Sequence, residues 1–492
     1  MQGKFPLYPP IRFGTDGWRG IIAGDFTFDR LAAVAPVAAH ILRETFGESG
    51  SNTIIVGYDR RFMSEAFAKR TAESVAAIGF DVLLADDFAP TPAFSWAAYE
   101  RKALGALVIT ASHNPANYSG LKIKGAFGGS VSPDITAKVE EILDRGDFVY
   151  ETPQKGKIET FDAWASYCQA LRSKVNIEAI KEAIALGKLT IFADVMHGAA
   201  AGGLAKILEL PADIQSHLVE LNGDSDPLFG GGAPEPLPRY IADLFRQVKT
   251  YHHEHPEKIL VGFIFDGDAD RIAATDSEGN FLSSQILIPV LLEHLAKNRG
   301  FKGELIKTIS GSDLMPKVAA LFDLPVYETP VGYKYIAERM LSGVPCLLGG
   351  EESGGVGYGN HIPERDALLS ALYVLEAIAT SNQDLSVLYS NLQEQTNFFS
   401  HYDRIDKKLS GMAAREKLVS TLQQFSLTEI AGRKVIDTQS PDGFKFRLAD
   451  GSWLLIRFSG TEPLLRLYCE AKTPELVHKT LNWISNWAEQ FN

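Results

Sequence analysis

Three carboxylates at alternate positions, Asp266, Asp268 and Asp270 in "DGDADR", form the most chemically demanding stretch of the chain. Two like charges about 4 Å apart repel by about 1 kcal/mol in water and by about 4 kcal/mol at an effective dielectric of about 20. A divalent cation bound by hard oxygens removes that repulsion. Mg2+, which keeps coordination sites for water or phosphate, suits so small a set of protein ligands. A solvated acidic turn is the simpler account, and an EF-hand loop is the rival. The EF-hand fails because Arg271 stands where its sixth-position glycine is needed and Ser277 where its last carboxylate belongs. Arg271 has no use in a plain metal buffer, but it fits a phosphoryl group lying between metal and guanidinium.

A second stretch, "IRFSGTEPLLRLY" (456–468), gathers Arg457, Ser459, Gly460, Thr461 and Arg466 around one turn. Glycine lets the backbone approach closely, hydroxyls and amides donate hydrogen bonds, and two arginines supply charge, an inventory that suits a phosphate. An ordinary turn before a strand is the alternative. "FGTDGWRG" (13–20) is a further Gly-rich loop with one arginine, Arg19.

The third stretch, "ITASHNPANYSGLKIKG" (109–125), sets Ser112, His113, Asn114 and Pro115 directly after the apolar run "LGALVIT". By itself this reads as a helix start, since Ser and Asn cap helices and Pro is tolerated in the first turn. Beside a metal site and a phosphate site, Ser112 is better read as a nucleophile that carries a phosphoryl group. A Ser-His-Asp hydrolase is disfavoured, because the G-x-S-x-G elbow is absent and a histidine adjacent to its serine is badly placed as that serine's base.

The elements that must position these loops follow a repeating order. "TIIVGYD" reads as a buried strand and "SEAFAKRTAESVAAIG" as a helix opened by a cap serine; a strand "DVLLADD", a helix from Pro92 to about Ala103 and the strand "GALVITA" follow. The same strand–helix alternation runs from "LTIFADV" to "ILVGFIFDGDADR" and from "GELIKTIS" to "VPCLLGGEESGG". Each closing strand spills into a polar, glycine-containing loop. Such alternation predicts mostly parallel sheets covered by helices, with ligands just beyond the carboxyl ends of the strands. From about Phe398 the order changes to a helix "AAREKLVSTLQQF", the strand "RKVIDT", and strands joined by the Asp450–Gly451 turn. A strand "LLRLYCEA" and a C-terminal amphipathic helix follow, a smaller α+β domain with an antiparallel sheet.

With 492 residues the chain exceeds one hydrophobic core and predicts several domains. Basic residues number 48 against 61 acidic ones, a formal charge of −13, which argues against a nucleic-acid or anionic-membrane binder. An anionic ligand would then need a local basic pocket. Cys168, Cys346 and Cys469 lie far apart with no CxxC pair, and neither an export signal nor an apolar span is evident, so a cytoplasmic protein is expected.

"TASHNP", "DGDADR", "GEESGG" and "RFSGTEP", in this order and spacing, resemble the four signature loops of the α-D-phosphohexomutase family, and "FGTDGWRG" resembles its N-terminal loop. The resemblance covers essentially the whole chain and lies nearest the bacterial phosphoglucomutase/phosphomannomutase group. It implies α/β domains at 1–158, 159–278 and 279–396, a C-terminal α+β domain at 397–492, and an active site in the central cleft. It implies phosphoryl transfer between O1 and O6 of a hexose phosphate, through phosphoserine at Ser112 and a hexose 1,6-bisphosphate intermediate. Ser112, Asp266, Asp268 and Asp270 would bind Mg2+; Ser112, His113, Lys122, Arg19 and Arg271 are the candidate catalytic residues. Glu351 and Ser353 match the pair that holds the sugar 3- and 4-hydroxyls. Arg457, Ser459, Gly460, Thr461 and Arg466 match the loop gripping the non-reacting phosphate, with Lys334 of "VGYKYI" beside them. A monomer or homodimer acting on small hexose phosphates is expected, with both glucose and mannose admissible as the sugar.

One departure stands out. Some relatives carry histidine after "GE-x-SG", where it serves as general acid or base; here the position is Gly355. The missing side chain predicts a looser hold on the bisphosphate and leakage of it, so that a bisphosphate synthase is the alternative outcome. A sugar phosphatase, in which water takes the phosphoryl group on the same scaffold, is a further one. "HIPERDAL" (361–368) also resembles a family segment and carries no assigned role.

Overall fold

The computed structural model describes residues 9–14, 16–148, 154–424, 427–458 and 463–491. Within them the alternation of strand and helix folds into three α/β units built to one plan. In the first unit the parallel strands Thr53–Tyr58, Asp81–Ala85 and Gly105–Ile109 lie with the earliest in the middle. The second unit sets Leu189–Asp194 between Leu218–Leu221 and Ile259–Phe265, and the third sets Glu304–Thr308 between Val326–Thr329 and Cys346–Gly350. In each, the last parallel strand reverses into an antiparallel neighbour: Tyr118–Gly125, Ile272–Thr275 and Val356–Tyr358. The reversing loops, 110–117, 266–271 and 351–355, are the ones that carry the serine, the three aspartates and Glu351. Equivalent topology therefore delivers three different chemistries from equivalent strand ends.

These strands are continuous apolar runs because helices cover both faces; every residue of Gly105–Ile109 is buried. One contiguous core joins the three units, from Ile11 to Leu392, with the helix Ala367–Ser381 threaded through it. The fourth unit has its own core, between the helices Met412–Gln424 and Pro474–Glu489 and an antiparallel sheet. It meets the third unit through a small apolar cluster (Ile309, Trp453, Leu455, Tyr468) and a polar seam. In that seam Glu470 accepts hydrogen bonds from Ser312, Ser400, the Asp313 amide at 2.8 Å and Trp453 Nε1 at 2.7 Å.

Two local expectations change. The serine expected to cap the helix Ser64–Ala77 is its first residue; Met63, at φ 61°, precedes it, and Ser64 Oγ donates to Asp59 instead. The fourth unit opens on the strand His401–Lys408, which sequence reading passes over for the helix that follows. This strand is an edge, pairing with Leu464–Ala471 alone, and its polar, half-exposed residues hide the apolar period that marks a strand. The Asp450–Gly451 turn is where expected, with Gly451 at φ 86° between Phe444–Leu448 and Trp453–Phe458. All three cysteines are free, and no described helix is long and apolar enough to cross a membrane.

Candidate active site

Ser112 stands three residues beyond the strand Gly105–Ile109, at φ 51°, in the left-handed region that favours glycine. The loop is held there from two sides. The Ser112 amide donates to Thr110 Oγ1 at 2.9 Å. Beneath it Arg61, 3% exposed, donates to three loop carbonyls, Pro115 at 2.9 Å, Ser112 at 2.5 Å and Asn114 at 2.6 Å, and to that of Tyr118, the first residue of the next strand, at 3.1 Å. Asp59 lies 3.3 Å from Arg61 Nε and accepts from the Arg61 amide. Ser112 Oγ donates to Asp266 Oδ2 at 2.9 Å and lies 3.3 Å from His113 Nδ1. Burial, with Arg271 and Arg19 nearby, lowers the His113 imidazole well below its usual range, so the ring is neutral.

Asp266, Asp268 and Asp270 are fully buried, and one oxygen from each falls within a 4.8 Å cluster. Their outer oxygens are already engaged. Asp268 Oδ2 accepts from Thr91 at 2.6 Å and Lys122 at 2.7 Å, and Asp270 Oδ2 from Lys122 at 2.8 Å and Arg365 at 2.6 Å. Among the described residues, Asp268 Oδ1 and Asp270 Oδ1 have no hydrogen-bond partner although buried. Orphaned buried carboxylate oxygens beside Asp266 are the donor set a hard divalent cation would complete. Burial, with Asp270 and Asp268 alongside, pushes Asp266 well above the ordinary carboxylate range, a cost that a bound cation would reverse. Burial works the same way on Asp268, but Lys122 and Thr91 outweigh it and hold that carboxyl low.

Above this floor opens a cleft of about 740 Å³ bounded by all four units. Among the described residues its walls carry nine basic and five acidic side chains, so a basic pocket does sit inside an acidic protein. Arg19, His113, Arg271, Lys334, Glu351, Ser353, Arg457 and Arg466 all line it. Arg19 Nη1 donates to Asn114 Oδ1 at 2.5 Å, and Ser353 Oγ donates to Glu351 Oε1 at 2.7 Å. Arg457 Nε bonds Asp442 at 3.0 Å, while the buried Arg466 Nε has no hydrogen-bond partner among the described residues. Lys122 lies under the cleft rather than in its wall. Burial lowers its ammonium, but Asp16, Asp268 and Asp270 raise it further, so it is a fixed cation in this arrangement. Ser459, Gly460 and Thr461 lie outside the described residues.

Sequence reasoning leaves three participants unassigned. Arg61 lies in "GYDRRF", a string with no motif signal of its own. Asp16 stands in the N-terminal loop and meets Lys122 at 2.8 Å. Arg365, in the "HIPERDAL" segment noted without a role, bonds Asp16, Asp270 at 2.6 Å and Glu351 at 3.3 Å. It also corrects the expectation of a gap at Gly355: a Cβ built there would lie 2.3 Å from Arg365 Cδ. The space is filled, and the premise for leakage through it is lost.

Comparison with known proteins agrees with this arrangement. The chain matches the phosphoglucomutase/phosphomannomutase alpha/beta/alpha domain I over residues 10–150, domain II over 165–279, domain III over 283–396 and the C-terminal domain over 407–484. It is 28% identical to a phosphoglucomutase/phosphomannomutase of Thermococcus kodakarensis over 470 residues, 95% of this chain and 96% of that one. It is 26% identical to a phosphoglucosamine mutase of Limosilactobacillus reuteri over 486 residues, 97% of each. A crystallised protein of Thermus thermophilus superposes with a TM-score of 0.82 at 31% identity, covering 98% of this chain and 100% of that one. With every unit matched in order, and a serine, three buried aspartates and a basic cleft at their junction, the chain belongs to the phosphoglucomutase/phosphomannomutase family of α-D-phosphohexomutases, isomerase-type enzymes.

Proposed function

We propose that the protein interconverts the 1- and 6-phosphates of glucose, and of mannose, through phosphoserine at Ser112 and a hexose 1,6-bisphosphate. The observation that carries this reading is Ser112 Oγ 2.9 Å from the buried aspartate cluster, beneath a cleft richer in basic than in acidic groups. Asp266, Asp268 and Asp270 would hold Mg2+ together with the seryl phosphate. When bound, Mg2+ supplies positive charge for the phosphoryl oxygens.

Transfer breaks the P–Oγ bond of phosphoserine and forms a P–O bond to the sugar hydroxyl, whose proton ends on the departing Oγ. Against the expectation that a histidine adjacent to its serine is badly placed for proton transfer, neutral His113 lies with Nδ1 3.3 Å from Oγ and is placed to relay that proton. Arg271 and Arg19 balance charge on the moving group, and Lys122 holds Asp268 and Asp270 in register. Glu351 and Ser353 take the sugar 3- and 4-hydroxyls, contacts that serve either orientation of the flipped intermediate. Arg457, Arg466 and Lys334, with Ser459, Gly460 and Thr461, grip the distal phosphate. Return of the other phosphate to Ser112 completes the isomerisation.

The relatives named phosphoglucosamine mutase support a second reading, in which the sugar is glucosamine. A coupled assay with glucose 1-phosphate, mannose 1-phosphate and glucosamine 1-phosphate, with and without glucose 1,6-bisphosphate, separates the two. The neutral-sugar reading expects higher kcat/KM on glucose and mannose substrates, and a preference for glucosamine 1-phosphate overturns it.

A further inference from the structure

Position 355 and Arg365 compete for one volume. A Cβ on Gly355 would meet Arg365 Cδ at 2.3 Å, Arg365 Cγ at 2.9 Å and Glu351 Oε1 at 3.1 Å. Atoms essentially never approach that closely without displacement, so the glycine admits the arginine stem. Arg365 is then 4% exposed, with its guanidinium at the cleft wall bonded to Asp16 of the N-terminal loop, Asp270 of the metal loop and Glu351 of the loop 351–355.

The backbone that presents it is fastened on both sides. Glu364, fully buried, meets Lys124 at 2.5 Å and Ser95 at 3.1 Å. Asp366 caps the helix Ala367–Ser381 through the Leu369 amide and accepts from Tyr167 at 2.8 Å. Arg365 is therefore delivered to its three carboxylates by anchors in the first and second units. The carboxylates do not depend on it equally. Asp16 and Asp270 each also meet Lys122 at 2.8 Å. Glu351 without Arg365 keeps, among the described residues, only the Ser353 hydroxyl at 2.7 Å as a hydrogen-bond donor to its side chain.

We propose that Arg365 is a positioning residue that sets the specificity of the sugar site: it aims the Glu351 carboxylate at the sugar hydroxyls, and Gly355 exists to make room for it. This rests on the functional reading above, in which Glu351 binds those hydroxyls. A carboxylate fixed by a guanidinium presents its free oxygen in one direction, whereas an untethered one samples several and discriminates poorly.

The experiment measures kcat and KM for glucose 1-phosphate and for its 3-deoxy and 4-deoxy analogues, in wild type, Arg365→Met, Arg365→Lys and Gly355→Ala. Wild type is expected to lose at least tenfold in kcat/KM on each deoxy analogue. Arg365→Met is expected to shrink that penalty to below threefold, and Arg365→Lys to restore part of it. Gly355→Ala, which displaces the stem without removing a charge, is expected to lower the penalty as well. If Arg365→Met does not fold, Gly355→Ala carries the comparison. A full penalty retained in Arg365→Met, or in Gly355→Ala where that variant decides, overturns the inference alone. A wild-type enzyme indifferent to the missing hydroxyls overturns the functional reading and the inference with it.

Discussion

Ser112 Oγ donates to Asp266 Oδ2 across 2.9 Å, although 154 residues and two sheets separate them. The contact joins the loop of the first α/β unit to the loop of the second, and it sets the nucleophile against a carboxyl that burial and its acidic neighbours push well above the usual range. Phosphoserine at this position adds about −1.5 to −2 charge, which a bound cation would balance. Ser112→Ala should therefore retain the fold and lose nearly all mutase activity. Intact mass should show partial phosphorylation of wild type and none of the variant; an active, unphosphorylated enzyme would sink the assignment.

The orphaned oxygens of Asp268 and Asp270 lead to a metal prediction. Exhaustive chelation should abolish activity and Mg2+ should restore it. Asp268→Asn should weaken Mg2+ binding at least tenfold by calorimetry, with circular dichroism unchanged. Undiminished turnover after chelation would mean that the acidic loop holds no catalytic metal and that Asp268 and Asp270 serve only the buried ion pairs with Lys122.

Arg61 holds three carbonyls of the serine loop and that of Tyr118, so its loss should act on orientation rather than on affinity. Misplacement of a reacting group by about 1 Å costs on the order of a hundredfold in rate. Arg61→Met should lower kcat by about that factor with KM nearly unchanged. A rise in KM at constant kcat would show instead that the residue serves substrate binding.

Arg457 sits on the strand Trp453–Phe458, across the cleft from the serine loop. Loss of a hydrogen bond to a charged group is worth roughly 1.5–3 kcal/mol. Arg457→Ala should accordingly raise KM by at least about tenfold, and kcat should fall too if gripping the remote phosphate helps align the reacting end. Steady-state kinetics unaltered in this variant would remove the phosphate site from the fourth unit.

Lys445 offers a pH test of the seam between the third and fourth units. It is fully buried, with Nζ 2.7 Å from the Ile309 carbonyl and 4.3 Å from the Trp453 ring centroid. Burial, with Lys307 nearby, lowers its ammonium to about 8. An unfolded lysine titrates near about 10.4. Between these values the unfolded chain binds the extra proton, so stability rises with pH; below about 8 both states are charged and the full cost of burial remains. Relative to Lys445→Met, wild type should gain roughly 2 kcal/mol between about pH 8 and about pH 10 in urea unfolding. Parallel pH profiles would show that the amine carries no displaced titration.

Much of this molecule is local enough to be legible in one dimension. The βαβ alternation follows from apolar periods a few residues long, and loops such as 266–271 declare their chemistry because like charges at alternate positions need a partner wherever the chain goes. Order and spacing of the loops then carry the family resemblance. What sequence could not decide is which groups meet across the units. Asp16 and Arg365 are 349 positions apart and in contact. Nothing in "FGTDGWRG" or "HIPERDAL" announces that contact, because neither loop has a partner until three sheets have packed around one core. The edge strand His401–Lys408 was hidden for a related reason: its stability comes from pairing with Leu464–Ala471 and not from an apolar face of its own. Gly355 shows the difference most plainly. As a letter it is a missing side chain; in the folded protein its place is taken by an arginine ten residues further on, and only packing, which lets two distant atoms claim one volume, could decide that.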